Sequence, residues 1–357
     1  MSENRVVGVT SDTIKVARVV CIIFMMTTHV WPGAHRILQI ETSLVWQAFY
    51  WVVVDLMGRA SLPLLSTIAG LLLAVSLRRR PGSEVASIKF QTLILPMALW
   101  SIPIIAITQL APLIGGWGAA ATPAIGLDNF LSVTRAPANA PLHFLRDLFL
   151  ISLYGIGILW IARRNVAAVL LSALVVIVYE HSPFGILFRN QIATFFLIGL
   201  IGAFYGFENW SPRWWLVIGA LITYLGLLWA IDPIVVSRQP VVFEAMEYAK
   251  RFAMGLFVLK MARVIASSNL SLRSLSLQIE PHIFVVFCLH AIVIKLMSGI
   301  AYAANWDERA PIYLLIFVAQ IVLCVGLGVV VSRLLSPFPL LRGKTIVMNS
   351  RSASSTT

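Results

Sequence analysis

The stretch VARVVCIIFMMTTHVW, residues 16–31, decides the fold class, because it is almost wholly apolar over nearly the length of a membrane-crossing helix. A bilayer core about 30 Å thick needs about 20 apolar residues in helical form. Comparable runs recur along the 357-residue chain, of which 59% is hydrophobic and only 12% is charged. A soluble protein of this length needs more polar residues to cover its surface. The sequence therefore predicts an all-α fold, a polytopic transmembrane helical bundle.

The apolar runs predict about ten spans in this bundle. The region 44–77 counts as one long or broken span, because Asp55, Gly58 and Arg59 interrupt it. The connection 110–140 is rich in Gly, Pro and Ala, and it is expected to form a re-entrant segment or a surface lid. The predicted spans are 15–33, 44–77, 90–109, 142–162, 165–180, 191–208, 213–231, 250–266, 282–303 and 310–335.

The lysine and arginine residues predict the orientation of the chain. The formal net charge is +12, and the basic residues are scattered over short loops, where they meet anionic headgroups. With the N-terminus inside, most of them lie on the cytoplasmic side, and a smaller group that includes Lys250 and Arg251 lies on the other. We therefore expect a transmembrane domain over 1–345 and a disordered cytoplasmic tail over 346–357. No nucleic-acid partner is expected, because the chain has no polar domain with a clustered basic face.

The three cysteines do not predict a disulfide framework or a metal site. Cys21, Cys288 and Cys324 all fall inside apolar runs. Free cysteine in such a setting behaves as a small hydrophobic residue. We therefore expect these residues to pack in the core, and we expect no bound metal.

Ionisable side chains at membrane depth are costly, so they normally face the bundle interior and mark a pathway or a site. Asp55 and Arg59 are four residues apart on one helix face and can pair. They form either a functional pair or a buried ion pair that only fixes helix packing. Arg146 and Asp147 are adjacent in the sequence, point in different directions, and are expected to find separate partners. All four are candidate site residues.

The first span contains the most informative spacing. Arg18 and His29 are eleven residues apart, close to three helical turns, so we expect both on one helix face. They would lie about 16 Å apart along the axis, with the cation near the cytoplasmic entrance and the imidazole deeper. Histidine can take a proton from an alcohol near neutral pH and return it to a leaving group. His29 is therefore a candidate general base, with plain packing as the alternative, and Arg18 either serves the site or extends to the interface.

Several segments together resemble acyltransferase family 3, whose members are membrane enzymes that modify sugars of bacterial glycans. The spacing from Arg18 to His29 matches the family pattern of arginine, ten residues and histidine in the first helix. The matches run in order through most of the chain. The other similar segments are DLMGRASLPLLSTIAGLLLAVSLRR (55–79), SIKFQTLILPMALW (87–100), PLHFLRDLFLISLY (141–154) and IFVVFCLHAIVI (283–294).

The resemblance implies an acyl-coenzyme A donor reached from the cytoplasm, with no permanently bound cofactor. It implies a sugar hydroxyl of a cell-surface or exported glycan as the acceptor, and acetyl as the commonest acyl group. The same resemblance makes His29 the general base and lets Arg18 steady the donor or the base. It also places the protein in a bacterial cytoplasmic (inner) membrane, with both termini in the cytoplasm.

Further roles are assigned by extension from this mechanism. Asp55 or Asp147 would orient the imidazole of the base, as an acidic partner does in hydrolase triads. Arg146 or Arg59 would stabilise the developing oxyanion in a water-poor site, and Arg59 is also a candidate substrate contact. His290, at the end of a phenylalanine-rich run, is an alternative base, an acceptor contact or a packing residue.

The segment before the third span departs from the family pattern. Many members have two arginines spaced R-x-x-R there, whereas this chain has Lys89 and Thr92. If the arginine pair grips the phosphates of the donor, that role passes to Lys89 alone or to the arginines at 78–80.

Two other functions compete with the enzyme. A transporter or flippase of a glycan or lipid-linked sugar would suit the intramembrane charges and the interrupted second span. The halves of the chain show no two-fold repeat of the hydropathy pattern, which favours the enzyme. A non-catalytic partner in a glycan-assembly complex is the third possibility. The sequence leaves open the acyl group, the acceptor sugar and whether the chain forms a homodimer.

Overall fold

The computed structural model describes residues 2–30, 44–110, 126, 128–134, 137–162, 165–206, 211–230, 239–303 and 310–345. Within these ranges the chain forms helices and short connections and contains no strand, which confirms the all-α class. The helices are α1 (Ser2–Thr27), α2 (Leu44–Leu77), α3 (Gly82–Gln109), α4 (Asp128–Leu131), α5 (His143–Ala162), α6 (Val166–Glu180), α7 (Gln191–Phe204), α8 (Trp214–Ala230), α9 (Pro240–Ser267), α10 (Ser271–Ile279), α11 (Ile283–Ala303) and α12 (Ala310–Leu334). Short 3-10 turns at Ala140–Leu142, Glu280–His282 and Pro339–Arg342 complete the list.

Five helical stretches in the described part of the chain are long and apolar enough to cross a membrane. They are Leu44–Leu77, Gly82–Gln109, Ala140–Ile161, Ser271–Ser298 and Leu314–Leu334. Helices α6, α7 and α8 are apolar but shorter. Each predicted run is helical over its described residues apart from a few at its ends, whereas the number of ten crossings stays a prediction. In the proposed lid over 110–140, residues 111–125, 127, 135 and 136 lie outside the described residues. The whole tail over 346–357 lies outside them as well.

Helix α2 is continuous through the charged interruption predicted from the sequence. Its segment Tyr50–Gly58 is π-helical, so the backbone widens where Asp55 lies instead of breaking. Such segments are rare and occur frequently at functional sites. A Cβ on Gly58 would lie 2.5 Å from the Thr28 side chain and 3.1 Å from the Phe24 carbonyl oxygen. Only glycine therefore lets α2 approach the end of α1 this closely.

Helices α2 and α7 cross with their backbones in close contact at two glycines. A Cβ on Gly70 would lie 2.0 Å from the carbonyl oxygen of Phe196, and one on Gly199 would lie 1.9 Å from that of Thr67. Small residues allow such close backbone contact between membrane helices. Gly70 lies in the segment 55–79 that resembles the family, and in this chain the glycine has a packing role.

Helix α1 lies centrally and contacts α2, α9, α10 and α11. It begins at Ser2, well before the predicted start at residue 15, and ion pairs tie it to the following elements. Arg273 on α10 lies 2.9 Å from Asp12, and Arg18 lies 2.6 Å from Glu280. The three cysteines are buried and free, as the sequence predicts.

Helix α9 corrects one prediction from the sequence. It begins at Pro240 and not near residue 250, and proline is favoured at the first helical position because its φ angle is already helical. Lys250 and Arg251 therefore lie inside the helix, and Lys250 is 5% exposed. Their assignment to a loop on the far side of the membrane is wrong.

Candidate active site

His29 lies in the turn that ends α1. The helix stops at Thr27, and the His29 amide donates a hydrogen bond of 3.0 Å to the Met26 carbonyl in a final tight turn. The hydroxyls of Thr27 and Thr28 each donate to a carbonyl three residues back, at 2.7 Å. His29 is therefore just beyond the helix rather than within it, which corrects the predicted position on the helix face. His29 is exposed in the structure.

Among the described residues, His29 has a ring contact with a second histidine, from α11. The rings of His29 and His290 lie 5.4 Å apart between centroids, with planes tilted by 50°. His290 is fully buried, and its Nδ1 is hydrogen-bonded to the carbonyl oxygen of Phe287. A carbonyl only accepts, so Nδ1 carries the proton and Nε2 of the neutral ring presents a lone pair. That Nε2 atom is buried and has no hydrogen-bond partner within the described residues.

A third histidine repeats this arrangement at the start of α5. His143 shares a hydrogen bond of 2.6 Å between its Nδ1 and the Ala140 carbonyl, which assigns the proton to Nδ1. Its Nε2 is buried and likewise unpartnered within the ranges given above. His143 and Arg189 both act electrostatically on His29, so these groups belong to its surroundings. The Nε2 atoms of His290 and His143 are therefore two potential hydrogen-bond acceptors in the region around the exposed imidazole of His29.

Arg146 and Asp147 pair with each other, contrary to the expectation of separate partners. The Arg146 guanidinium lies 2.9 Å from a carboxylate oxygen of Asp147, whose side chain is fully buried. Asp147 also accepts hydrogen bonds from the backbone amides of Phe188 at 3.3 Å and Arg189 at 3.1 Å. Arg146 donates to carbonyls of Val133 and Ile186, and it lies over the Phe188 ring. The pair thus fixes the segment 186–189 against α5.

Asn139 is a buried polar residue that the sequence prediction missed. It is 1% exposed, and its amide donates to the carbonyls of Cys288 at 3.0 Å and Trp100 at 3.3 Å. It therefore ties the turn before α5 to α3 and to α11 two residues before His290. A lone asparagine in a weakly polar connection gives no signal from which this role could be predicted.

Asp55 and Arg59 pair as predicted, but within a larger cluster of charges. Their closest atoms are 3.2 Å apart, and Lys250 from α9 donates to both carboxylate oxygens of Asp55 at 3.0 and 3.2 Å. Glu247 pairs with Lys250, with Arg251 at 2.9 Å and with Arg59 at 3.7 Å. Two acids face three bases, so the cluster has a net positive charge. The Arg59 side chain is 43% exposed, whereas the other four are at most 17% exposed.

A basic cavity lies between the end of α2 and the first turns of α3. It encloses about 310 Å³, and its lining includes Arg79, Arg80, Lys89 and Thr92. Lys89 forms no ion pair or hydrogen bond through its side chain within the described chain, and the charge of Arg18 acts on it. Arg18 itself pairs with Glu280, and Arg78 donates to the Ala203 carbonyl outside the cavity. Arg79, Arg80 and Lys89 are therefore the cations brought together here.

These groups are suited to proton transfer and anion binding. No cluster of three or more histidine, cysteine or carboxylate side chains suited to a metal occurs among the described residues. The structure brings His29 together with His290, whereas the described contacts of Asp55 are with Arg59 and Lys250.

Comparison with known proteins identifies a family for nearly the whole chain. A family model described as an acyltransferase domain, that of acyltransferase family 3, matches residues 12–333, which is nearly the whole chain. That range includes every candidate site residue named above. No curated protein and no solved structure matches the chain significantly.

Proposed function

The chain belongs to acyltransferase family 3 and is a membrane acyltransferase, and from this we propose that it moves an acyl group from acyl-coenzyme A to a sugar hydroxyl. The acceptor is a cell-surface or exported glycan, or its lipid-linked precursor, and acetyl is the group we favour. The protein acts in the inner membrane of a bacterium, with both termini in the cytoplasm.

The observation that supports this proposal best is the contact between His29 and His290. One imidazole is exposed, and the other is buried with an acceptor nitrogen that has no partner among the described residues. A sugar that enters the site can therefore give the proton of one hydroxyl to His29. Another hydroxyl of the same sugar can donate a hydrogen bond to His290. Such a site binds an alcohol and activates it as well.

The reaction follows from general base catalysis. His29 takes the proton of the sugar hydroxyl as its oxygen attacks the thioester carbonyl of the donor. The tetrahedral intermediate collapses, the carbon–sulfur bond breaks, and an ester forms. The departing thiolate of coenzyme A then takes the proton from His29, so the base is regenerated and the free thiol leaves. Arg146 and Asp147 enter this scheme as positioning residues, because they hold the segment that contains Arg189.

The basic cavity lined by Lys89, Arg79 and Arg80 is the proposed binding site for the phosphates of the donor. Coenzyme A carries several negative charges on its phosphates, and clustered cations attract such a group. Arg80 also pairs with Glu84 at 3.3 Å, so Lys89 and Arg79 are the cations of the cavity best placed for this role. Arg18 lies next to this cavity, about 16 Å along the α1 axis from the level of His29. The thin acyl-bearing arm of the donor would extend over that distance toward the imidazole. Arg18 is paired with Glu280, so we assign it a steadying role beside the phosphates.

Arg59 is the proposed contact for the acceptor or for the developing oxyanion. It is the most exposed member of a buried cluster with one excess positive charge. Asp55 is held by Lys250 and Arg59, so its proposed role is to fix this arginine rather than to orient His29. A guanidinium set in place by carboxylates can bind an anionic or hydroxyl-rich group with little reorganisation.

The direct test uses His29→Ala and His29→Gln in purified, reconstituted protein. Transfer of radiolabelled acetyl from acetyl-coenzyme A to membrane glycan should fall by about two to four orders of magnitude, the usual contribution of a general base. His181→Gln is the matched control, because that exposed histidine hydrogen-bonds Tyr248 far from His29 in the sequence. Full transfer by both His29 variants would refute the proposed base.

The alternative of a transporter or flippase is tested in the same preparation. Acyl-coenzyme A should protect the folded enzyme against thermal unfolding, because a ligand that binds only the native state stabilises it. Glycan movement across vesicles without any donor, together with no protection by the donor, would favour the transporter.

A further inference from the structure

An apolar groove lies beside the ion cluster of Arg59 and shares Arg251 with it. Helices α7 and α9 both pack on α2, and between them the structure leaves a cavity of about 410 Å³. Volumes of 300–1,000 Å³ are typical of ligand sites. At the rims, Ile198 is 44% exposed and Phe252 is 48% exposed, so the cavity opens sideways toward lipid.

The groove follows α9 along one helix face from Arg251 to Arg263. These residues are twelve apart, which corresponds to about 18 Å along the helix. One leaflet of the hydrocarbon core is about 15 Å thick. Between the two arginines the α9 wall is formed by Phe252, Gly255, Leu256 and Leu259, with no charged residue. The groove therefore has the length and the apolar character of a single fatty acyl chain.

The two ends of the groove differ in charge pairing. Arg251 is bound to Glu247. Arg263 is half-buried and has no carboxylate, carbonyl or ring partner among the described residues. Nearby on α9, Lys260 lies 5.4 Å from the centre of the Trp214 ring, and tryptophan and lysine are typical of the headgroup level of a membrane. A guanidinium without a partner at this level favours a phosphate, which it can bind through two parallel hydrogen bonds.

We propose that this groove is a binding site for one anionic phospholipid, with its phosphate on Arg263 and one acyl chain along α9 toward Arg251. The bilayer supplies the ligand, so the site is independent of the donor and acceptor of the proposed reaction. Gly255 forms the middle of the α9 wall, and a Cβ there would meet nothing within 4 Å. A larger side chain at this position would occupy the groove without displacing a neighbouring helix.

The test uses the full chain in phosphatidylcholine vesicles that contain a small fraction of phosphatidylglycerol with a photoreactive group on its acyl chain. After irradiation, mass spectrometry of peptides should find the label on α7 and α9 residues of the groove. Gly255→Leu should abolish this label, and Arg263→Gln should reduce it several-fold. The matched controls are Gly219→Leu, another glycine with open space around it, and Arg213→Gln, an exposed arginine before α8; both should keep the label.

A second probe separates an anionic lipid from any lipid. Photoreactive phosphatidylcholine should label the groove several-fold less than phosphatidylglycerol in the wild-type protein, and the difference should disappear in Arg263→Gln. Equal labelling by both lipids, or labelling that Gly255→Leu leaves unchanged, would overturn the proposal. If Gly255→Leu lowers the folded yield, Leu259→Trp gives the same test, since that residue also lines the groove.

Discussion

Replacing Asp147 by asparagine should destabilise the folded protein more than any change to an ion pair at the edge of the bundle. The carboxylate is fully buried and accepts hydrogen bonds from the Arg146 guanidinium and from two backbone amides of the segment 186–189. Asparagine keeps the shape of the side chain but loses its charge and one acceptor atom. Arg146, 11% exposed, would then lie buried without a carboxylate partner.

The expected magnitude follows from the remaining contacts of Arg146. Removing one member of a buried ion pair costs about 3–5 kcal/mol, because the other charge stays buried without compensation. Arg146 keeps its hydrogen bonds to the carbonyls of Val133 and Ile186, which still satisfy part of the guanidinium. We therefore expect a loss near the lower end, about 3 kcal/mol. For a chain of 357 residues each kcal/mol corresponds to about 1.3 °C, so the Tm should fall by roughly 4 °C.

The assay is thermal unfolding of the purified protein in one detergent, with Asp12→Asn as the matched control. Asp12 pairs with Arg273 and Lys15 at a more exposed position, so its replacement should cost less than about 1 kcal/mol. A combined variant of Arg146→Gln and Asp147→Asn should be less destabilised than the sum of the single changes. The reasoning fails if Asp147→Asn unfolds at the same temperature as Asp12→Asn, or if the two single changes simply add.

Other variants test the packing and the two sides of the proposed site. Gly199→Val would force α7 away from α2 and should leave little folded protein by size-exclusion chromatography, whereas Gly219→Val, with open space around it, should fold normally. Lys89→Gln should raise the KM for acyl-coenzyme A by about tenfold with kcat nearly unchanged, because a hydrogen bond to a charged group contributes about 1.5–3 kcal/mol; Arg213→Gln should leave that KM unaltered. His290→Phe keeps a ring of similar shape but deletes the Nε2 acceptor, so kcat should fall by about tenfold or more while the Tm stays within a few degrees; an unchanged kcat would limit His290 to packing.

The apolar runs allowed the helical class and most helix positions to be predicted, because bilayer thickness imposes a length that is visible in the sequence. The pairing of Asp55 with Arg59 was also predictable, since helical spacing alone places them together. The start of α9 was not predictable from hydropathy. Glu247, Lys250 and Arg251 make that half of the helix read as a polar loop, and their burial depends on Asp55, far away in the sequence. Only the spacing of Glu247 from the two cations, at three and four residues, indicated a helix.

The position of the histidine and the Arg146–Asp147 pair show where local rules were insufficient. Helical spacing placed His29 on the face of α1, but α1 ends at Thr27, where two threonine hydroxyls bond carbonyls of the last turn. Adjacent side chains on a helix start in different directions, which is why separate partners were expected for Arg146 and Asp147. The long stem of arginine lets its guanidinium turn back to the neighbouring carboxylate, and the segment 186–189 then completes the contacts of both.

The pairing of the charges separates residues that support the site from residues that can meet a substrate. Asp147, Asp55 and Arg18 are engaged with protein partners, so their contribution is to hold other groups in place. Among the groups described above, the Lys89 ammonium and the Nε2 atoms of His290 and His143 retain bonding capacity. Lys89 can bind an anion such as a phosphate of the donor, whereas the two imidazole nitrogens can accept only from a hydrogen-bond donor such as a sugar hydroxyl. These groups therefore call for two different ligands, and this is the physical reason to expect the phosphates of the acyl donor near Lys89 and the alcohol near His29.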